Sequence, residues 1–423
     1  MKKNYNFFTS FTAVGGKLLM ISFTLVLLFL SMMGFAQTAY VTNEGDSSVS
    51  VINVATNTVF ATIPIGSQPY GVTVSEDGNK VYVVNQNNSS VSVINTATNT
   101  VSATVAVGGA PRGIVVTPDG SMVYVANRNG NTISVISTAT NTVSTSITDG
   151  GGPWGVAVSP DGSKVYVTNI DVNTVSVITT SNNTISATIT VGSSPRGIVV
   201  SPDGSKVYVT NEADNTVSVI TAGTNVVSAT VTVGTNPYGI CVSPDGTLVY
   251  VANDNSNSVS VISTSTNTVS ATVTVGQHSY GVSISTDGSK VYVANSGTNT
   301  VSVISTSNNS VSATVTVGTS PYGFGNFISS HTSGIASMSF ETASVSAYPN
   351  PNNGIFTIKD LRFTNYDLRI IDVLGKEVYH QGINNSTQST IDVSNLNNGV
   401  YFYQITIPNQ SGEGMIKGKF LKE

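Results

Sequence analysis

A 42-residue repeat that never drifts constrains this chain more than any other feature. Pro-x-Gly triplets begin at Pro69, Pro111, Pro153, Pro195, Pro237 and Pro321, and Ser279-Tyr280-Gly281 keeps the missing place in register. Asp-Gly pairs follow at Asp77, Asp119, Asp161, Asp203, Asp245 and Asp287. Strands of the form Tyr-Val-x-Asn start at Tyr40, Tyr82, Tyr124, Tyr166, Tyr208, Tyr250 and Tyr292. A period of this length holding several short strands marks the blades of a β-propeller. One repeat divides by its own punctuation: an apolar strand at 155–159, an Asp-Gly turn, a strand at 164–169, a polar loop, and strands at 174–178 and 184–191. Six full repeats run from 69 to 320. Residues 40–66 supply three strands without an innermost one, and 321–329 supply a lone innermost strand. The two fragments make one composite blade. The expected fold is all-β: a seven-bladed β-propeller, one blade closed by both chain ends, followed by a small antiparallel β-sandwich. Closing the ring in this way hides strand edges that would otherwise pair with other chains.

Composition agrees with buried, stacked sheets. Only 9% of the residues are charged, against roughly 25% in an average soluble protein. That excludes coiled coils and long solvated helices, which need regularly spaced Glu, Lys and Arg. The net charge is −5, and no basic face for nucleic acid is visible. The single cysteine, Cys241, rules out a disulfide within the chain and a cysteine-based zinc or haem site.

The two ends differ from the repeat. Lys2, Lys3 and Lys17 precede an apolar run at 18–30, and Gly34-Phe35-Ala36 is a small-x-small cleavage pattern. Residues 1–36 therefore read as a signal peptide, the alternative being a membrane anchor. No later stretch is apolar enough to span a bilayer. The propeller is expected over 37–329, a Ser/Thr/Gly-rich linker over 330–344 and a second domain over 345–423. In that last part charge rises, and short alternating strands are expected at 355–358, 367–373, 377–381, 390–393, 399–407 and 415–420.

Two resemblances follow from these residues. Tyr-Val-Thr-Asn at Tyr40, Tyr166 and Tyr208, with Ser-Pro-Asp-Gly at Ser159, Ser201 and Ser243, resembles the YVTN family of propeller repeats. It implies fold more than function, because members include surface-layer and cell-surface proteins of varied role. The C-terminal segment is similar to the type A sorting domain of the type IX secretion system of Bacteroidetes. The matching residues are Pro349, Asn350 and Pro351 with Gly354, Asp372 to Gly375 and Lys376, Leu396 with Gly399 and Tyr401, and Lys419 with Phe420 and Leu421. This resemblance implies export across both membranes, contact with the type IX machinery, and a secreted or outer-membrane-surface location.

Chemistry-bearing residues are few. Of three histidines, His278 alone falls in the blades, so a multi-histidine metal site is excluded. The repeated Asp-Gly acids are turn formers. The middle residues of the Pro-x-Gly series are Tyr70, Arg112, Trp154, Arg196, Tyr238, Tyr280 and Tyr322. They begin the innermost strands and should ring the channel mouth, with His278 near them. Aromatic faces stack on sugars, and arginine binds carboxylate or sulfate bidentately. The same side chains could instead simply plug the funnel. The loops between second and third strands share this face and carry Glu44, Asp46, Asp171, Glu212, Asp214 and Asp254; the stretch 254–257 has only a faint likeness to a calcium loop. Three functions are open: a surface binding or adhesion protein for a glycan or another protein, a propeller enzyme of lactonase or lyase type, and a ligand-free surface-layer-like protein. The scarcity of acid–base groups leans away from an enzyme, and no catalytic residue, metal or cofactor is expected.

Overall fold

The computed structural model describes residues 37–332, 347–348, 354–358, 366–372, 376–383, 389–407 and 414–422. The expected signal peptide lies outside them. The chain divides into two units, Met1–Gly334 and Ile335–Glu423.

The first unit is built from four-stranded antiparallel sheets, seven among the described residues. One such sheet runs Pro153–Val158, Lys164–Asn169, Thr174–Thr179 and Thr184–Thr190 from inside outward. Burial follows that order. The second strand is closed over almost completely in every sheet, as in Lys164–Asn169, while the outermost strand alternates or is largely exposed. This is why Val and Tyr fill the middle strands and Ser and Thr the outer ones. Serines of the outermost strands, such as Ser186 and Ser228, donate to the carbonyls of Val177 and Val219 at 3.1 Å, beside a bulge in the register. A bulge on an edge strand twists it away from further pairing.

Three devices recur. Asp of each Asp-Gly turn accepts from the hydroxyl two residues before it: Ser159 to Asp161 and Ser201 to Asp203, both at 2.5 Å. The glycine that follows takes positive φ, +71° at Gly162. Each Asn closing the second strand donates through Nδ2 to two hydroxyls of the third, as Asn211 does to Thr216 and Ser218 at 3.0 and 2.9 Å. The Pro-x-Gly glycine lets neighbouring sheets touch. A Cβ at Gly71, Gly113, Gly155, Gly197 or Gly239 would lie 2.2–2.4 Å from the carbonyl oxygen of Arg112, Trp154, Arg196, Tyr238 or Tyr280 respectively.

The ring closes with strands from both ends, in the order Ile328–Thr332, Gln37–Asn43, Ser48–Asn53, Thr58–Pro64. The closing innermost strand is not the expected 321–329. Pro321 makes only a single bridge to Asn43, and the strand begins seven residues later. The cause is local sequence. After Tyr322 come Gly-Phe-Gly-Asn-Phe instead of an aliphatic run, and Gly323 and Gly325 take φ of +54° and +114°. Phe324 is thereby turned inward. Its carbonyl accepts from Val72 N at 2.9 Å, stitching the last turn to the first full sheet.

The second unit holds a three-stranded sheet, Ala347–Tyr348, Ile355–Ile358 and Ser389–Asp392, and a four-stranded one, Glu377–Ile383, Tyr366–Ile371, Gly399–Ile407 and Gly414–Lys422. Gly354 has φ +100°, and its missing side chain leaves room for Ser394. Asp372 and Lys376 bond across their turn at 2.9 and 3.0 Å. The Tyr401 hydroxyl donates to the Asn397 carbonyl at 2.8 Å. Gly399 pairs in register with Lys422, and Lys419 with Phe402. Pro349, Asn350, Pro351 and Gly375 lie outside the described residues.

Two outcomes follow. Gly155→Ala forces a carbonyl contact apart and should lower stability by about 1–3 kcal/mol, read as a drop in thermal midpoint. Asp161 and Asp203 are held down at about 2, chiefly by the hydroxyls of Ser159 and Ser201. A depressed carboxylate stabilises the fold fully above its ordinary value near 4 and loses that contribution as pH falls toward 2. Stability measured against pH should therefore fall in that window, and Asp161→Asn with Asp203→Asn should flatten the fall.

Candidate functional site

The seven middle residues of the Pro-x-Gly series meet at one end of the channel, as each starts an innermost strand. Five are aromatic and form a closed circuit. Ring centroids lie 6.0 Å apart for Tyr70–Trp154, 6.4 Å for Trp154–Tyr238, 4.9 Å for Tyr238–Tyr280, 4.4 Å for Tyr280–Tyr322 and 4.7 Å for Tyr322–Tyr70. Most contacts are edge-on or tilted, which suits the ring quadrupoles, and each adds about 0.5–1.5 kcal/mol beyond area burial. Tyr70 and Tyr238 join hydroxyl to hydroxyl across the circuit. Burial drives both phenols well above the ordinary tyrosine range. Phe324 fills the middle, 5.8 Å from Tyr70 and 5.7 Å from Tyr238.

Tyr70, Trp154 and Tyr238 are thus buried, at 1%, 4% and 5% exposure. Tyr280, Tyr322, Arg112 and Arg196 are half-buried and form the outer rim. The mouth is packed shut at its centre. Beyond the plug the channel is an apolar cavity of about 300 Å³, lined by Val115, Val156, Ile198, Ile240 and Cys241 among others, reaching Pro244, Ser285 and Thr286 on the Asp-Gly side.

The arginines occupy the gaps. Arg112 has its guanidinium carbon 4.7 Å from the Tyr70 centroid and 4.6 Å from that of Trp154. Arg196 lies 3.9 Å from Trp154 and 5.2 Å from Tyr238, and bonds Glu212 through Nε and Nη2 at 2.7 and 2.6 Å. A third arginine, Arg128, sits 5.1 Å from Trp154 and 3.8 Å from Asp171. Sequence reasoning missed it, although it stands in the same loop register as Glu212. All three arginines of residues 37–332 therefore surround the only tryptophan.

The repeat breaks its symmetry here. Residues 149–152 are Asp-Gly-Gly-Gly where other repeats begin with Val-Gly or Ile-Gly. Gly152 has φ +67°, and a Cβ there would lie 2.3 Å from the Asp171 carboxylate. Small residues thus make room for the acid that meets Arg128. Asp149 accepts from Ser176 Oγ at 2.6 Å, and burial pushes its carboxyl up against that bond.

The other acids of this face are mostly turn locks. Asp46 and Asp214 accept from Thr319 N and Ser193 N, as Asn88 and Ser256 do from Ser67 N and Thr235 N. Glu44 is half-buried, which raises its carboxyl, with Arg112 pulling the other way. His278 is on the rim, its Nδ1 2.8 Å from Asp254 Oδ1. Among the described residues no three His, Cys, Asp or Glu side chains group closely enough to hold a metal ion. No helix of the described residues is long and apolar enough to cross a membrane.

Residues 56–331 match the model of the virginiamycin B lyase family. The chain belongs to that family. Residues 346–417 match the secretion system C-terminal sorting domain, so this family member is a propeller addressed to the type IX machinery and is secreted or held at the cell surface. No curated protein matches it. Among solved structures, the fold is similar to Kuenenia stuttgartiensis hydrazine synthase, at 26% identity and TM-score 0.60, over 64% of this chain and 92% of that one. It is also similar to a functionally unknown protein from Desulfotomaculum acetoxidans, at 17% identity and TM-score 0.60, over 69% of this chain and all of the other.

Phe324→Ala should remove the plug and cost about 3–5 kcal/mol of stability. Thermal unfolding measures the loss, and a red shift of Trp154 emission reports water entering the mouth.

Proposed function

We propose that this protein is a binding module displayed outside the cell, which takes a surface glycan or another protein on the rim of the aromatic circuit. One observation carries the reading: the repeat departs from its pattern where three arginines gather on the only tryptophan, with Asp171 and Glu212 beside them. A scaffold serving packing alone has no need for charge to collect at one sector of one face. In this reading residues 1–36 are a leader removed on export, 37–329 act, 330–344 link and 345–423 sort. Polysaccharide and glycan-array binding tests it. Arg112→Ala, Arg128→Ala and Arg196→Ala combined should weaken binding at least about tenfold, or roughly 1.4 kcal/mol, without changing the fold seen by circular dichroism. Unchanged affinity would remove the rim from the account.

The family match supports a second reading, a lyase or lactonase, with His278 and Asp254 as its acid–base pair. Histidine is the commonest general acid or base, and here Asp254 orients the His278 ring through a 2.8 Å bond to Nδ1. Without three grouped ligands, no step is routed through a metal. Turnover of lactone substrates that vanishes in His278→Asn would establish it.

A further inference from the structure

We propose that Arg112 is the receptor for one carboxylate, that of a single acidic sugar capping an otherwise neutral glycan; this rests on the glycan reading above and names its ligand. The 42-residue register explains why Arg112 stands apart. Sixteen residues after Arg196 comes Glu212, which binds it. Sixteen residues after Arg112 comes Arg128, a like charge. Arg128 turns to Asp171 of the next repeat. Among the described residues Arg112 makes no ion pair and no side-chain hydrogen bond. The Glu44 carboxyl feels the Arg112 charge without forming an ion pair with it, and burial raises that carboxyl against the pull of the arginine. Yet the guanidinium is held in place, packed between the rings of Tyr70 and Trp154.

Two donors are buried there without an acceptor, Arg112 Nε and Trp154 Nε1. Trp154 is 96% buried by its neighbours, with 4% exposure. Buried donors are rarely left unpaired in native proteins. A planar, positionally fixed guanidinium with free donors is the preorganised partner of a planar oxyanion, which it grips with two parallel bonds. Preorganisation matters because the ordering cost is met before the ligand arrives.

The charge around it narrows the ligand. Residues 37–332 hold seven Lys and Arg against fourteen Asp and Glu. That field repels polyanions and acidic peptides, while one arginine without an ion pair suits a lone carboxylate. The rim beside it offers the half-buried Tyr280 and Tyr322, stacked at 4.4 Å, and loops of Ser, Thr and Asn. These match neutral sugar hydroxyls and ring faces rather than a charged chain.

Trp154, the only tryptophan, is a built-in reporter, so the test is its fluorescence titrated with defined probes on the secreted full chain. A glucuronate-capped oligosaccharide should bind at least tenfold more tightly than its methyl ester or its glucose-capped counterpart. Arg112→Gln should erase that difference, and Arg112→Lys should keep only part of it. Arg196→Gln should change it less, since Arg196 is already neutralised. The thermal midpoint of each variant must match the parent; if Arg112→Gln unfolds, the ester-to-acid ratio of the parent and of Arg112→Lys still decides. Equal binding of acid and neutral probes would overturn the carboxylate inference and leave the glycan reading standing. Binding of no glycan would defeat both. Tighter binding of a sulfated polymer or a glutamate-rich peptide would overturn the lone-carboxylate inference in favour of a polyanion.

Discussion

The contact between each Pro-x-Gly glycine and the next repeat's carbonyl holds the rest in place. At 2.2–2.4 Å from an added Cβ, no other residue lets the innermost strands come so close. That spacing draws the side chains just before the glycines onto one small circle. Five rings and two guanidiniums then fill it, with Phe324 in the gap. Packing of the mouth is thus a consequence of backbone approach, and the turn locks and Asn–hydroxyl bonds fix the strands within each sheet.

Low charge follows from the same arrangement. Sheets stacked face to face bury their middle strands on both sides, and an unpaired charge there would cost several kcal/mol. Lys80, Lys164, Lys206 and Lys290 stand at the start of the second strand, near the Asp-Gly turns, where Lys80 and Lys290 reach backbone carbonyls at 3.2 and 2.7 Å. The arginines are all at the opposite end, against Trp154. Basic residues in the repeats are therefore sorted by type, lysine on one face and arginine on the other. A desolvated guanidinium over an aromatic face gains roughly 2 kcal/mol, which explains why arginine and not lysine is used at the mouth.

Much of this was legible in the chain. Strand boundaries came from Asp-Gly and Pro-x-Gly punctuation, and the ring of middle residues came from the period alone. The strands 355–358 and 399–407 of the second unit were read correctly from alternation. Three things were not legible. Phe324 looked like one more residue of an innermost strand, because positive φ at Gly323 and Gly325 leaves no mark in a pattern of apolar residues. Arg128 was not singled out at all, since its partners Trp154 and Asp171 lie in a neighbouring repeat. Asp46 and Asp214 were read only as acids of variable loops, and nothing in the pattern showed that they accept from the backbone amides of Thr319 and Ser193.

The sequence by itself determined the number of repeats, the order of strands and the seven equivalent residues that ring the mouth, because a strict period places equivalent residues in equivalent surroundings. Tertiary structure alone decided which of those residues are spent on packing and which keep a free valence. Arg196 and Arg112 are equivalent in sequence. Sixteen residues on, one has a glutamate and the other an arginine, and only when the ring closes does that difference leave a single cation fixed between two rings without an ion pair.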